Sequence, residues 1–168
     1  MSPETPTLHM VCGKVAAGKS TLCAQLAARG AIVIAQDYWM SRLYKEELQS
    51  VADYVRLIPR LRDAMGPLVA DLLRAGLLRA GLSVVMDWPA NTRESRAWMR
   101  SIFEAAGAEH SLHHLDVPEE ICLARLSVRN ASGKHEYAVS SAEFAQLSSY
   151  FQPPAPDEGF DLVIHSDR

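Results

Sequence analysis

The sequence predicts an α/β fold in which helices cover a central parallel sheet. Short apolar runs alternate with segments of helical periodicity along the chain, which is typical of repeated strand-helix units. A glycine-rich segment lies between the first apolar run and the first helical segment, and no linker rich in Pro, Gly or Ser divides the sequence. At 168 residues the chain is about the size of one domain. We therefore expect a single domain over residues 1–168.

In the first half of the chain the pattern predicts three strands and several helices. The strands lie over 8–12, 31–35 and 82–86, and the first helix lies over 20–29. That helix has one apolar face and ends before Gly30, at a position that favours a left-handed residue. Residues 39–80 are predicted as two or three helices, because Pro59 and the pair Gly66 and Pro67 disfavour a continuous helix.

The second half of the chain is predicted to add three helices and two strands. The helices lie over 93–106, 118–129 and about 140–150, and the strands lie over 112–117 and 160–164. Gly107 closes the first helix, an acidic first turn supports the second, and Ser140 with Glu143 has the spacing of a capping box at the third. Gly133 and mixed charges predict a mobile loop over 130–139.

The glycine-rich segment is the clearest functional motif. Residues 13–20, GKVAAGKS, match G-x-x-x-x-G-K-[ST] between a predicted strand and a predicted helix. Such a loop turns backbone N–H groups toward phosphate oxygens, and the helix N-terminus adds positive potential. Nucleotide is expected to bind to Gly13, Lys14, Ala16, Ala17, Gly18, Lys19, Ser20 and Thr21. Lys19 would reach the β- and γ-phosphates and Ser20 would ligate Mg²⁺; the alternative is a glycine-rich turn with an exposed lysine.

Two carboxylates follow predicted strands at the sheet edge where open α/β folds bind ligands. Asp87 ends the third strand and is a candidate for the carboxylate near the metal; the alternative is a cap on the turn before Trp88. Asp37 follows the second strand after one intervening residue. It is a candidate general base, accepting the proton of an acceptor hydroxyl as that oxygen attacks the γ-phosphate. The alternative is an N-cap for the following helix.

Four arginines are candidates for contacts with phosphate. Arg125 and Arg129 are four residues apart and share one face of a helix that leads into the predicted loop. On a lid over about 125–140 they would neutralise charge on the transferred phosphoryl group and exclude water. Arg93 and Arg96 begin another helix and could also face phosphate. The alternative for each is an ordinary solvated helix charge.

Histidine and aromatic residues are weaker candidates. His113 and His114 lie inside a predicted strand, so their rings point to opposite faces and do not form a two-histidine metal site. Several aromatics could line an acceptor pocket, although such residues are usually core or rim. These are Trp39, Tyr44, Trp88 and Trp98.

Composition narrows the class of partner and the compartment. Lys plus Arg total 17 and Asp plus Glu total 20, so no broad basic field favours nucleic acid. The N-terminal segment lacks the features of a signal peptide, and no apolar stretch reaches the roughly 18 residues of a membrane span. Cys12, Cys23 and Cys122 are far apart and lie in apolar segments, which predicts buried thiols in a reducing compartment. We expect a cytoplasmic protein without a membrane partner.

Together the motifs resemble the small P-loop kinases of the AAA_33-like and zeta-toxin-like group, which also resembles chloramphenicol phosphotransferase, gluconate kinase and polynucleotide kinase domains. The resemblance covers nearly the whole chain. Its motifs are Gly13 to Thr21, Asp37, Asp87 with Asn91-Thr92-Arg93 and Arg96, Leu115 to Pro118 before the Arg125 and Arg129 helix, and the Pro-rich segment before Phe160. It implies a three-layer P-loop NTPase fold, a parallel sheet of order 2-3-1-4-5, a small lid, ATP with Mg²⁺, Asp37 as base, and residues 153–158 near adenine.

The leading hypothesis is an ATP-dependent kinase that phosphorylates a hydroxyl of an unidentified small molecule, bound beside the helical region at about 39–80. A nucleoside, nucleotide or polynucleotide kinase would need phosphate-binding arginines such as Arg42, Arg56 or Arg60. Polynucleotide kinases place an arginine where this chain has Met40, which argues against nucleic acid ends. A third hypothesis is a nucleotide-bound switch or regulatory ATPase; no [NT]-K-x-D guanine motif occurs. Asp37 separates these classes, because a switch needs no base aimed at an acceptor.

Overall fold

A computed structural model of the chain describes residues 5–79, 81–133 and 138–166. Five strands form one parallel sheet of order β2-β3-β1-β4-β5. The strands are β1 (Thr7–Cys12), β2 (Ile32–Ala35), β3 (Val84–Pro89), β4 (Glu109–Asp116) and β5 (Leu162–Ser166). The helices are α1 (Lys19–Ala28), α2 (Gln36–Leu43), α3 (Val51–Arg79), α4 (Arg93–Ala106), α5 (Glu119–Ser132) and α6 (Ser141–Ser149), and a 3₁₀ turn spans Pro156–Glu158. The predicted fold class and strand order are confirmed.

The strand register brings three connections to one edge of the sheet. Ala35 at the end of β2 pairs with Asp87 in β3, and β3 pairs with β1 through Met86 and Met10. Because the strands are parallel, their carboxyl ends lie together. The chain leaves this edge from β1 to α1, from β2 to α2 and from β3 to α4. The loops that carry the predicted site residues therefore open on the same side.

Helices bury apolar side chains on both faces of the sheet. On one face α3 and α4 cover β1 and β3, and the fully buried side chains include Leu8, Met10, Met86, Leu57, Leu61, Leu73 and Met99. On the other face α1 packs on β1 and β3, while α5 and α6 pack on the end of β4. The buried residues there include Val11, Val85, Cys23, Leu26, Leu115, Cys122, Leu126 and Phe144. The three cysteines are buried and unpaired, as predicted.

The predicted interruption of α3 at its prolines is wrong. The helix runs without a break for 29 residues through Pro59 and Pro67, and both prolines are exposed. A proline inside a helix costs about 3 kcal/mol, because it removes an N–H and crowds a carbonyl. Leu57, Leu61, Val69 and Leu73 on the covered face are fully buried, and each contributes about 1.5–3 kcal/mol, against about 6 kcal/mol for the two prolines together. Burial outweighs the cost, and the break falls before Val51, after α2.

Other boundaries agree more closely with the pattern. The helix predicted over 93–106 has those bounds and ends at Gly107, which is left-handed with φ 66°. The predicted capping box at Ser140 is present. β3 begins two residues later than expected and continues to Pro89, and α5 extends into the predicted loop as far as Ser132. Residues 134–137 of that loop lie outside the described residues. None of the described helices is long and apolar enough to cross a membrane.

Candidate active site

The loop between β1 and α1 has a backbone suited to surround an anion. Gly18 is left-handed, with φ 103°, directly before α1. A Cβ atom at Gly13 would lie 3.0 Å from the carbonyl oxygen of Leu115, so a larger residue would displace the loop. Ala16 has φ 60° and is the only described non-glycine residue with a positive φ, which costs about 1–2 kcal/mol. Within the described residues no side chain caps α1, so its first amides are available to phosphate.

The Lys19 side chain lies along this loop. Its Nζ atom donates to the carbonyl oxygens of Gly13 at 2.7 Å and Lys14 at 2.8 Å. Burial lowers the pKa of Lys19, and the negative charge of Asp87 opposes that shift. The ammonium group is thus held beside the loop by backbone oxygens. It is positioned to exchange these contacts for phosphate oxygens.

Asn91 fastens the start of the loop. Its Oδ1 accepts from the Gly13 N–H at 3.0 Å, and its Nδ2 donates to the Gly13 carbonyl at 3.0 Å. The side-chain amide therefore pairs with both backbone polar groups of one residue, as a residue on a neighbouring strand would. The Asn91 carbonyl also accepts from the backbone N–H of Gln152 at 2.8 Å. Reasoning from the residues gave Asn91 no role, because its partner is 78 residues away and only its place after β3 hinted at one.

Asp87 lies at the carboxyl end of β3 and faces α1. Burial, together with the neighbouring Asp87 carboxylate, raises the pKa of Cys23 to about 12, and the thiol hydrogen-bonds to Asp87. Cys23 therefore keeps its proton and orients the carboxylate. Because β3 continues to Pro89, Asp87 belongs to the strand and not to a turn after it.

The donor set around the loop suits magnesium better than a metal that needs a protein cage. Ser20 is exposed in the first turn of α1, and the charge of Asp87 reaches Lys19 at the same end of the sheet. Among the described residues no group of three or more His, Cys, Asp or Glu side chains could hold a metal ion. One carboxylate, one hydroxyl, nucleotide oxygens and water form the usual environment of Mg²⁺.

Asp37 lies in the first turn of α2 and is exposed at the carboxyl edge of the sheet. The N-cap of α2 is Ala35, without a side-chain cap, so Asp37 does not cap this helix. The preceding Gln36 is buried and donates to the Tyr54 hydroxyl in α3. Burial raises the pKa of Tyr54, and the charge of Asp37 raises it further. The Asp37 carboxylate is therefore close to a tyrosine that stays protonated.

The two predicted lid arginines both approach the phosphate loop from α5. The Arg125 Nη1 atom donates to the carbonyl of Ala17 at 3.4 Å. Besides burial, the positive charge of Arg129 lowers the pKa of Lys19. The Nε atom of Arg129 is buried and has no hydrogen-bond partner in the described part of the chain. The structure thus brings Arg125 and Arg129 to the loop, and their catalytic role stays a prediction.

Arg93 and Arg96 bind protein groups instead of facing the loop. Arg96 is fully buried, and its Nε and Nη2 atoms donate to the two carboxylate oxygens of Glu158 at 2.7 and 2.9 Å. Arg93 pairs with Asp157 at 2.7 Å. The expectation that these arginines face phosphate is not met, because they anchor the segment before β5 to the start of α4. In the sequence, the adjacent acidic residues Asp157 and Glu158 were the feature that could have predicted these ion pairs.

Three histidines form a chain across β1, β4 and β5 of the sheet. His113 Nε2 lies 3.0 Å from His9 Nδ1, and His113 Nδ1 lies 2.9 Å from His165 Nε2. Burial lowers the pKa of His113 to about 4, so this ring is neutral at neutral pH. The ring of His114 lies near Phe151, with centroids 5.9 Å apart. The adjacent pair thus points to opposite faces, as expected.

Comparison with solved structures gives the same fold throughout the chain. A candidate kinase of Chloroflexus aurantiacus is 21% identical with a TM-score of 0.69, over 96% of this chain and 85% of that one. Kti12 of Chaetomium thermophilum, solved with ADP-AlF3, is 16% identical with a TM-score of 0.69, over 95% and 88% of the two chains. The Mycobacterium tuberculosis APS kinase, solved with AMPPNP and APS, is 22% identical with a TM-score of 0.57, over 99% and 91%.

Sequence comparison identifies the family. No curated protein matched the chain. The model of the AAA_33 family, described as an AAA domain, matches residues 8–154, which include most of β1, the phosphate loop and helices α1 to α6. The chain therefore belongs to the AAA_33 family, and its fold is that of the small P-loop kinases.

Proposed function

We propose that the protein transfers the γ-phosphate of Mg-ATP to a hydroxyl group of a small molecule. The observation that carries this proposal is the position of Asp37. Its carboxylate is exposed at the sheet edge where the phosphate loop opens, and it does not cap its helix. An enzyme that passes phosphate only to water has no use for a base on the side of an acceptor, so this position favours a kinase.

In the proposed reaction the acceptor oxygen attacks the γ-phosphorus as its proton passes to the Asp37 carboxylate. The bond between the γ-phosphorus and the β-γ bridging oxygen breaks, and ADP leaves. Lys19 binds the β- and γ-phosphate oxygens, and the loop amides hold the phosphates in line. Arg125 and Arg129 act as lid residues and offset the charge that develops on the transferred group.

Magnesium fits the residues available. Ser20 and Asp87 would hold the ion, Asp87 directly or through water, with Cys23 fixing the carboxylate. Bound Mg²⁺ supplies charge neutralisation of the β- and γ-phosphates. The acceptor is proposed to bind between α2, α3 and the start of α4, under a lid over about 125–140. Three buried thiols suit a reducing compartment such as the cytoplasm.

The test is a screen for ADP release from Mg-ATP with hydroxyl compounds, nucleosides and oligonucleotides, followed by the Asp37→Asn variant. We expect one class of compound to stimulate ADP release and to become phosphorylated. Asp37→Asn should lower this transfer by a factor on the order of 10²–10⁴ and leave ATP binding intact. ADP release that is equal with and without every compound would indicate a regulatory ATPase. Wild-type transfer by the variant would remove Asp37 from the mechanism.

A further inference from the structure

Arg62 of α3 lies beside the proposed acceptor site, and one donor of its guanidinium group lacks a partner among the described residues. Its Nη1 atom donates to Glu94 at 2.7 Å, and its Nε atom is buried without a hydrogen-bond partner among the described residues. The Nε edge of an arginine binds carboxylates and phosphates through two parallel hydrogen bonds. Arg96 in this same protein uses its Nε and Nη2 atoms in that way on Glu158. The guanidinium group of Arg62 can bind an oxyanion in the same way, since its Nε atom has no hydrogen-bond partner among the described residues.

The Arg62 side chain is held in place. It is 20% exposed, whereas its partner Glu94 is 82% exposed, so the ion pair lies at the protein surface and Nε lies inward. The guanidinium carbon sits 5.2 Å from the centre of the Trp98 ring, which stacks against the charged group. The arginines considered from the sequence are less suited, because Arg56 and Arg60 are more than half exposed and both approach Glu47.

Arg62 belongs to the same cluster as the proposed base. The Tyr54 hydroxyl, in the same helix as Arg62, accepts a hydrogen bond from Gln36, the residue directly before Asp37. The charges of both Asp37 and Arg62 act on that hydroxyl. A second buried donor lies on this side of the sheet. Trp88 is 2% exposed, its indole N–H has no partner among the described residues, and its ring centre lies 5.0 Å from that of Trp98.

We infer that the acceptor carries an anionic oxygen group, a carboxylate or a phosphate, and that the Nε edge of Arg62 binds it. Naming the ligand as the acceptor rests on the proposed function, whereas the existence of an anion-binding site rests on the contacts of Arg62 alone. A buried N–H without a partner is costly, and an oxyanion satisfies it and the positive charge together. The hydroxyl that receives phosphate lies at the Asp37 end of the same molecule.

The experiment measures binding with the phosphate loop already filled by Mg²⁺ and a non-hydrolysable ATP analogue. Inorganic phosphate and two matched series are titrated: glycerol, glycerate and glycerol 3-phosphate, and glucose, gluconate and glucose 6-phosphate. Tryptophan fluorescence reports binding, since the Trp98 ring lies beside Arg62 and the Trp88 ring lies next to Trp98. The Arg62→Gln variant removes the charge, and Arg62→Lys keeps the charge but loses the two-pronged edge. Arg74→Gln on the same helix, where Arg74 pairs with Asp71, is the matched control.

We expect saturable binding of at least one anionic probe, with no binding of its neutral counterpart. Arg62→Gln should weaken that binding by about 10- to 100-fold, and Arg62→Lys by less, whereas Arg74→Gln should bind as the wild type. Comparison of the carboxylate compounds with the phosphate compounds shows which of the two anions the site binds. The inference is overturned if no anionic probe binds saturably, if the neutral compound binds equally well, or if Arg62→Gln binds like the control. Anion binding in this experiment, together with no phosphorylation of any compound in the screen with Mg-ATP, would support this site while counting against the proposed kinase activity.

Discussion

Replacing Asn91 with alanine tests whether a single side chain holds the phosphate loop in its binding conformation. Asn91 forms two hydrogen bonds, both 3.0 Å long, with the N–H and the carbonyl of Gly13. Gly13 is buried, so water cannot readily replace the lost partner. Removal of the side chain therefore affects both the folded state and the amides that would surround phosphate.

The two hydrogen bonds contribute unequally. The Gly13 carbonyl keeps a partner in the variant, because Lys19 also donates to it at 2.7 Å, so this loss is about 1 kcal/mol. The Gly13 N–H is left without Asn91, which costs about 1–3 kcal/mol. The expected loss of unfolding free energy is therefore about 2–4 kcal/mol. For a chain of this length that lowers the melting temperature by roughly 10 °C.

Urea unfolding and ATP titration of the same preparations provide the measurement. We expect Asn91→Ala to raise the Kd for ATP at least about tenfold, because the loop amides lose their fixed directions. Asn91→Asp should lose less stability, since it keeps the acceptor for the Gly13 N–H. Asn130 makes a similar pair of bonds to Val139 but is exposed, so Asn130→Ala should cost under about 0.5 kcal/mol. Wild-type stability and ATP affinity in Asn91→Ala would refute this reasoning.

Three further predictions follow from the contacts around the loop and the sheet. Arg125→Ala and Arg129→Ala should each lower kcat more than they raise the Kd for ATP, because a lid acts on charge that develops in the transition state; steady-state kinetics that show only weaker ATP binding would make them binding residues. Glu158→Gln should lower the unfolding free energy by about 3 kcal/mol, since it leaves a fully buried arginine unpaired, whereas Asp157→Asn at the exposed neighbouring pair should change it by under about 1 kcal/mol; equal losses in urea unfolding would contradict this. His113 has a pKa of about 4 in the folded protein against about 6.5 when unfolded, so the unfolded chain binds a proton at a higher pH than the folded protein does. The unfolding free energy should therefore fall by up to about 3 kcal/mol as the pH drops from 6.5 to 4. His113→Gln should show a smaller fall, and an unchanged dependence of the unfolding free energy on pH would assign the titration to other groups.

Local signals predicted most elements of this fold because their causes are local. The helix over 93–106 follows from its capping residues and apolar face, and its bounds agree with the structure. The phosphate loop follows from two glycines that permit positive φ angles. The prediction at Pro59 was wrong because the course of the helix there has a non-local cause. A local rule predicted a break there, but the burial of leucines against the sheet decides the course of α3.

The sequence by itself determined the fold class, the phosphate loop and the two acidic positions at the carboxyl ends of strands, because each depends on periodicity or on a motif of a few adjacent residues. The resemblance to P-loop kinases added the strand order, which the structure confirms. Only the tertiary structure decided which partners the polar side chains take. Asn91 binds Gly13, Arg96 binds Glu158, and the Arg62 Nε atom has no hydrogen-bond partner among the described residues. These partners lie on different elements, and hydrogen bonding between them depends on ångström-scale distances that sequence spacing does not encode.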